Sequence, residues 1–374
     1  MSDDRVITTT IPEFFGGRNL YAQRKPASFE LEITARCNSN CRHCYINLPA
    51  DDAAARSKEL SLEEIDSLAG QAVELGAVWC LLTGGEPLLR HDFEEIYLLL
   101  KRKGLLVSLF TNATLINEHH IRLFGKYPPR EIEITVYGVT EATVRRVMRR
   151  PGMFKAFERG LGLLTSNRIP FRLKAMALRS NLHELREIAA YCRQRTKDYY
   201  RFDPLLHLRY DGNPLRNEEI RSERLTAQEI VQLEEMDPER MEAMIAQCDE
   251  FITAHAAGEN CRHLFHCGAG TNSFLIGHDG RFRLCSSLNE PSCQYDLRTG
   301  TLAEAWHVHI PRVRALESQN PEFLEKCRGC QIANLCLWCP AHAHLEHGAL
   351  DSWSDYFCEV AHARAEMLKR KANY

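Results

Sequence analysis

Hydrophobic and polar positions in this chain switch between two periods. Residues 29–34 (FELEIT) alternate at every second position, the pattern of a strand with one buried face. Residues 62–75 change to the helical period. Ser61 stands where it can cap that helix, Glu64 completes a capping box, Leu60 and Ile65 are placed as a hydrophobic staple, and Gly76 is set to stop it. The exchange repeats down the chain. Strand-like runs at 78–82, 105–110, 131–137, 171–178 and 200–206 alternate with helical segments at about 92–103, 116–126 and 152–166 and one from 182, where Asn181 is the expected cap with Glu184 three positions on.

Six strands alternating with helices predict an α/β fold with parallel pairing through right-handed crossovers. Six units are too few for a closed eight-stranded barrel, so an open, partial barrel or a doubly wound sheet is expected, with chemistry at the carboxyl ends of the strands. The first 28 residues read as irregular, with paired Gly16–Gly17 and a lone Pro26, and residues 207–224 read as loop. A helix at 227–236 has its own capping box, Thr226 to Glu229, with Leu225 and Ile230 as staple. Eleven acids against three arginines between Glu218 and Glu250 read as a solvated linker helix pair. After Gly258 the alternation stops. The expected division is an extension at 1–28, an α/β domain at 29–250 and a different C-terminal domain at 251–374.

Composition narrows the function. With 44% hydrophobic residues the 374-residue chain can bury a core, which excludes a disordered protein. Lys plus Arg is 47 and Asp plus Glu is 50, a balance that argues against a protein held to nucleic acid or to anionic membrane lipid. No apolar run is long enough to span a bilayer, and MSDDRVITTTIPEFF lacks a signal peptide's basic start and apolar stretch, so a cytoplasmic location is expected. Fifteen cysteines are many for that compartment, where clustered cysteines more often bind metal or do redox chemistry.

Cys37, Cys41 and Cys44 stand on the loop after the first strand, as C-x3-C-x2-C. Three thiolates on one short loop can hold three irons of a cubic cluster and leave the fourth open. A zinc site would want a fourth ligand that His43 is badly placed to supply. Three unligated structural cysteines would be expected on apolar faces, not in an Asn-Ser-Asn-Arg loop. The second strand ends in Thr83-Gly84-Gly85-Glu86-Pro87, where paired glycines allow close approach of the backbone to a ligand and Glu86 can accept hydrogen bonds from an ammonium group.

These two motifs, in this order and spacing, resemble the radical S-adenosylmethionine (SAM) superfamily. The resemblance implies a partial (β/α)6 open TIM-like barrel and a [4Fe–4S] cluster on Cys37, Cys41 and Cys44 whose unique iron chelates S-adenosylmethionine. It implies that Gly84, Gly85 and Glu86 hold the methionyl ammonium, that His43 packs near the adenine, and that Asn112 is the polar position facing the cofactor. Many relatives carry Ser-x-Asp-Gly on the fourth strand. Here the sequence is Thr135-Val136-Tyr137-Gly138, so Thr135 keeps the hydroxyl and Tyr137 replaces the acid. Arg146 is a candidate for the cofactor carboxylate, or one of several solvated arginines in VRRVMRR. The implied chemistry is one-electron cleavage of the sulfonium to a 5′-deoxyadenosyl radical that abstracts hydrogen from an inert C–H bond, the protein supplying orientation and exclusion of water.

The remaining pattern, Cys261-x5-Cys267-x17-Cys285 and then Cys327-x2-Cys330-x5-Cys336-x2-Cys339 with Cys358, holds eight thiols, enough for two four-thiolate sites. C-x2-C pairs also build zinc ribbons, and spacing leaves both open. The array resembles the SPASM extension of the same superfamily, which implies two auxiliary [4Fe–4S] clusters: Cys261, Cys267, Cys285 and Cys339 for one, Cys327, Cys330, Cys336 and Cys358 for the other. Relatives often space the last pair of the middle run by three, so Cys339 is the least regular ligand. Fully ligated clusters would favour electron relay over substrate binding. Cys80, Cys192 and Cys248 read as small buried hydrophobes. Cys293 is a loop alternative to an assigned ligand, and His342, His344 and His347 read as a polar face rather than a metal site.

Relatives with this layout mostly modify peptides or proteins, which implies oxidative modification of a ribosomally made peptide. A sulfatase-maturase-like activity and a non-catalytic iron–sulfur electron carrier are the alternatives. Only about 28 residues precede the first strand, so a separate peptide-recognition protein or direct binding is expected, with an electron donor such as flavodoxin or ferredoxin. Asp203, at the end of the sixth strand, is the candidate general base, with a loop-capping carboxylate as the plainer role.

Overall fold

The computed structural model describes residues 24–196, 200–248, 251 and 262–372. Cys261 and Gly16–Gly17 lie outside the described residues. In chain order come β1 (Ser28–Thr34), β2 (Arg36–Cys37), β3 (Leu48–Pro49), α1 (Ala53–Lys58), α2 (Leu62–Leu75), β4 (Trp79–Gly84), α3 (Phe93–Arg102), β5 (Leu106–Thr111), α4 (Glu118–Lys126), β6 (Glu131–Val136), α5 (Glu141–Met148), α6 (Met153–Ser166), β7 (Arg172–Met176), α7 (Leu185–Arg195) and β8 (Arg201–Asp203). After them come α8 (Pro214–Glu223), α9 (Ala227–Glu235), α10 (Pro238–Ala246), β9 (Ser273–Ile276), β10 (Arg281–Arg283), β11 (Tyr295–Asp296), α11 (Pro340–His347) and α12 (Asp355–Lys371), with short helical turns between them.

All six expected strands form, in the spatial order β1-β4-β5-β6-β7-β8, every neighbouring pair parallel. Side chains alternate across the sheet. Phe29, Leu31 and Ile33 of β1, Leu82 of β4, Val107 and Leu109 of β5 and Ile132 and Ile134 of β6 are buried in one hydrophobic core. Fully burying such a side chain contributes about 1.5–3 kcal/mol, so this face holds the sheet together. The other face is half-buried and polar, carrying Glu30, Ser108, Glu133, Thr135, Lys174 and Asp203. Parallel strands put all their carboxyl ends at one edge, and the cysteine loop follows β1 there.

Local chemistry explains the helix starts. Ser61 Oγ accepts from the Glu64 amide at 3.2 Å while Glu64 accepts from the Ser61 amide at 2.8 Å, and Gly76 ends α2 at φ +109°. Thr226 and Glu229 form the second capping box. Asn181 departs from expectation: a short 3-10 turn precedes α7, and the Asn181 side chain does not cap it. It accepts from the Leu178 amide and donates to the carbonyls of Tyr137 and Met176, tying the ends of β6 and β7 together. Glu184 turns to the loop after β6, accepting from the Val139 amide and from Thr140 and Thr143.

Three further differences have physical causes. Residues 207–224 are not all loop: Asn213 caps α8 and Pro214 occupies its first turn, where a missing N–H costs nothing. The acidic run is not simply solvated. Glu234 is fully buried between Arg240 and Arg364, each 2.7 Å away, and Glu223 is buried on Ser180. The sheet also continues past the expected domain boundary. β9 pairs parallel with β1, Phe29 opposite Phe274 with rings 5.5 Å apart, and β10 and β11 extend it antiparallel. Among the described residues no helix is long and apolar enough to cross a membrane.

Candidate metal centre at the strand exits

The chain leaves β1 under tight control. Arg36, buried, donates to Glu59 at 2.7 and 3.1 Å, which anchors the strand end just before Cys37. Cys37 and Cys41 are buried, each 5% exposed, and Cys44 is half-buried. Ser39 bridges the first two thiols, its Oγ 3.2 Å from Cys37 Sγ and 3.4 Å from Cys41 Sγ. The Asn47 amide donates to Cys44 Sγ at 3.4 Å. Burial pushes the Cys37 thiol up to about 12, and Glu86 adds to the rise. Cys41 is also raised by burial, and then by Cys44 and Cys37. Three thiolates in this pocket repel one another unless a cationic group lies between them, so the donor set fits an iron cluster that takes three thiolates. Among the described residues no three Cys, His, Asp or Glu side chains converge to hold a single metal ion. Thiolates that each bind a different iron need not do so.

The turn after β4 packs directly on this loop. A Cβ on Gly84, at φ +128°, would lie 2.1 Å from the Thr34 carbonyl oxygen, and one on Gly85 2.2 Å from that of Arg36. The glycines therefore let the Gly85 and Glu86 amides reach those carbonyls, at 2.7 and 2.9 Å. Glu86 is fully buried. It accepts from the Leu88 amide (3.1 Å), Thr111 Oγ1 (2.8 Å) and the Asn112 amide (2.8 Å), and burial lifts its carboxyl to about 7. Glu86 thus fastens the β4 exit to the β5 exit. Asn112 completes the join, its amide group donating to Asn38 at 2.9 Å and lying 3.9 Å from Cys37 Sγ.

His43 is buried beside Tyr137, ring centroids 5.1 Å apart, and its Nδ1 has no hydrogen-bond partner among the described residues. Burial lowers its imidazole to about 4, so it is neutral near pH 7. Tyr137, the residue in place of the expected acid, is raised by burial and by the three thiols, and bonds to Thr135. Cys37, Cys41, Cys44, His43, Asn112, Thr135 and Tyr137 therefore share the strand-exit edge with the Gly84–Glu86 turn. Arg146 is exposed on α5 and donates to the Ser180 carbonyl at 3.5 Å. Asp203 is half-buried at the end of β8, 3.5 Å from Arg201.

The C-terminal cysteines fall into two electrostatic groups. Cys339 is pushed up to about 12, first by burial and further by Cys285 and Cys267. Cys327 and Cys336 are each pushed up to about 11 by burial, with Cys358 and Cys330 adding to both. Cys293 belongs to neither group; it is buried, and after burial its thiol is raised by Glu290. Cys80, Cys192 and Cys248 are buried in hydrophobic clusters. Of the histidine tract, His342 stacks between His207 (5.4 Å) and Phe357 (4.9 Å), while His347 is exposed.

Two residues escaped the sequence reading. Arg209 and Arg216, in the stretch read as loop, reach the carbonyls of Cys44 and Cys41. Their sequence signal is weak: the Asp-Gly-Asn-Pro turn announces a helix start, but nothing local says which loop it docks against.

The exits of a parallel sheet thus gather three thiols against a turn that carries a buried carboxylate. Residues 31–192 match the family model of the Radical SAM superfamily. It is 23% identical over 337 residues to the AdoMet-dependent heme synthase of Nitratidesulfovibrio vulgaris, covering 84% of this chain and 87% of that protein. It is 27% identical over 194 residues to the PqqA peptide cyclase of Gluconobacter oxydans, about half of each chain at 52%. Among solved structures, Streptococcus suis SuiB bound to precursor peptide SuiA matches with a TM-score of 0.67 at 13% identity, over 96% of this chain and 83% of that one. That likeness is one of fold. The family implies a [4Fe–4S] cluster working with S-adenosylmethionine, and the strand-exit thiols fit it.

Proposed function

We propose that this chain is a radical SAM enzyme that oxidatively modifies a ribosomally made peptide. The observation that carries the reading is the loop of three thiols, two of them buried, joined to the β4 and β5 exits through Asn112 and Glu86. Cys37, Cys41 and Cys44 would hold the cluster, leaving one iron without a protein ligand. Bound there, the cluster and S-adenosylmethionine supply one-electron cleavage of the sulfonium and a carbon radical able to take hydrogen from a C–H bond.

The chain's own part is placement. The turn Gly84–Gly85–Glu86 borders the site for the methionyl ammonium. Neutral His43 with Tyr137 forms the apolar wall for the adenine, and Asn112 and Thr135 face the cofactor with polar groups. Arg146 is the candidate for its carboxylate, and Asp203 for taking a proton from the substrate. Cys267, Cys285 and Cys339, with Cys261, would hold one auxiliary [4Fe–4S] cluster, and Cys327, Cys330, Cys336 and Cys358 the other. Both would serve to return an electron from the oxidised substrate. A donor such as flavodoxin or ferredoxin would supply reduction, and the peptide would bind directly or be presented by a separate recognition protein.

The peptide cyclase relative supports the substrate class. A second reading, a tetrapyrrole substrate, is favoured by the heme synthase match, which spans 84% of the chain. Anaerobic incubation of reconstituted protein with S-adenosylmethionine and dithionite should give 5′-deoxyadenosine and methionine. Co-expression with small open reading frames from the same gene neighbourhood should yield a peptide lighter by about two hydrogens per crosslink in mass spectrometry. Unchanged peptides, with formation of heme from an added tetrapyrrole instead, would replace the peptide reading by the tetrapyrrole one.

A further inference from the structure

The segment after β8 also grips the cysteine loop. Arg216 Nη2 donates to the Cys41 carbonyl at 2.8 Å and to Asn47 Oδ1 at 3.2 Å. Arg209 Nη1 donates to the carbonyls of Cys44 (3.3 Å) and Asn47 (3.2 Å) and to Asn47 Oδ1 (2.9 Å). The Tyr210 amide adds a bond to the Tyr45 carbonyl at 3.2 Å. Asn47 is therefore a shared acceptor for both arginines, and its own amide points at Cys44 Sγ.

The two guanidinium groups differ in charge balance. Arg209, 3% exposed, meets Asp211 through two nitrogens, Nε to Oδ1 at 3.0 Å and Nη2 to Oδ2 at 2.6 Å, so its charge is matched one to one. Arg216 donates from Nη1 to Glu219 at 2.7 Å, but Glu219 also accepts from Arg149 at 2.5 Å. One carboxylate between two guanidiniums leaves excess positive charge against the Cys41 carbonyl. That charge acts at a site mostly shielded from water, where charge–charge interactions are stronger than in bulk.

We propose that Arg216 is a positioning residue for the iron–sulfur group of the strand-exit loop, fixing the Cys41 carbonyl and supplying the positive charge that favours the reduced state of that group. Arg209 is its charge-balanced counterpart, a clamp on Cys44. The inference rests on the cluster assignment proposed above and adds a role to it. Reduction adds one electron, from dithionite in the test, to a cluster already bound by anionic thiolates. A nearby cation stabilises the more negative state, and net charge and hydrogen bonding are among the factors that set such potentials.

The experiment is a redox titration of the reconstituted full chain followed by electron paramagnetic resonance. The signal read is the one that changes when S-adenosylmethionine is added, with iron content and circular dichroism as controls. At the potential that half-reduces the wild type, Arg216→Gln should lower the ratio of reduced to oxidised cluster about tenfold, a 59 mV shift for one electron. Arg216→Lys, which keeps the charge, should stay within about twofold. Glu219→Gln removes the countercharge and should shift the midpoint the other way, so it decides the matter if Arg216→Gln does not fold. Full iron content with unmoved midpoints in Arg216→Gln or in Glu219→Gln would overturn the proposal. Wild-type protein that assembles no such cluster would sink the proposed function itself, and this inference with it.

Discussion

The same residue type is supported in opposite ways at the two ends of this molecule. The loop of Cys37, Cys41 and Cys44 is held by its own chain on several sides: Asn112 and Glu86 from the strand exits, Arg209 and Arg216 from the segment after β8. The C-terminal thiols stand on short turns. Cys327 lies in a π-turn at Leu324–Arg328, Cys330 and Cys336 flank a 3-10 turn at Ala333–Leu335, and Cys267 is exposed. A sheet built from a large core fixes the first group in place. If the second group binds clusters as proposed, ligand bonding would supply more of its order, because binding energy at a metal site is also folding energy. The contrast is between thiols placed by the fold and thiols on short turns.

The largest expected effect comes from breaking the first site. Cys41→Ala should reduce 5′-deoxyadenosine formation about a thousandfold or more, to background, while the C-terminal iron stays bound. Retained product formation would show that the two ends do not divide the work as proposed. Next, Cys327→Ser or Cys336→Ser should lose about four of about twelve irons and spare S-adenosylmethionine cleavage within tenfold, while turnover of substrate falls further. Two zincs in place of the missing irons would refute the auxiliary assignment.

Iron chelation gives a smaller, regional effect. Hydrogen exchange at residues 320–339 should rise by at least tenfold after chelation, with β4, β5 and β6 within a few-fold of the holoprotein. Equal loss of protection in both regions would contradict the difference in support.

An effect confined to pH dependence concerns Glu30, on the polar face of β1, whose carboxyl is lifted from the usual glutamate range to about 7, first by burial and then by Glu32. A carboxyl with a raised folded-state pKa holds its proton longer in the folded than in the unfolded chain. Its contribution is therefore lost as pH rises from about 4.5 toward 7. Glu30→Gln removes that loss, so the variant should gain up to about 3 kcal/mol relative to wild type between pH 5 and 8. Denaturant midpoints measured across that range check it, and a constant difference would show that Glu30 titrates normally.

What could be read from the sequence was mostly local. The capping box of Ser61 and Glu64, the stop at Gly76 and the three-cysteine loop are each written within a few residues, and each formed where expected. Arg216 could not be read, because its partner Cys41 is 175 residues away and its own helix, α8, gives no hint of which loop it meets. The burial of Glu234 was hidden for the same reason. Its charge looks solvated until Arg364, 130 residues later, is brought beside it. β9 is only four residues long, and what makes it a strand is the free edge of β1. The glycines after β4 were read as space for a ligand. Their nearest neighbours are the backbone carbonyls of Thr34 and Arg36, a close approach no local pattern reveals.

The proposed function requires a strand-exit cluster with one iron that no side chain ligates. The most direct test is electron–nuclear double resonance on the dithionite-reduced protein with S-adenosylmethionine labelled at the methionyl nitrogen and carboxylate. The prediction is strong coupling from both labels to one cluster, absent in Cys41→Ala. A cluster spectrum in which neither label couples would contradict it.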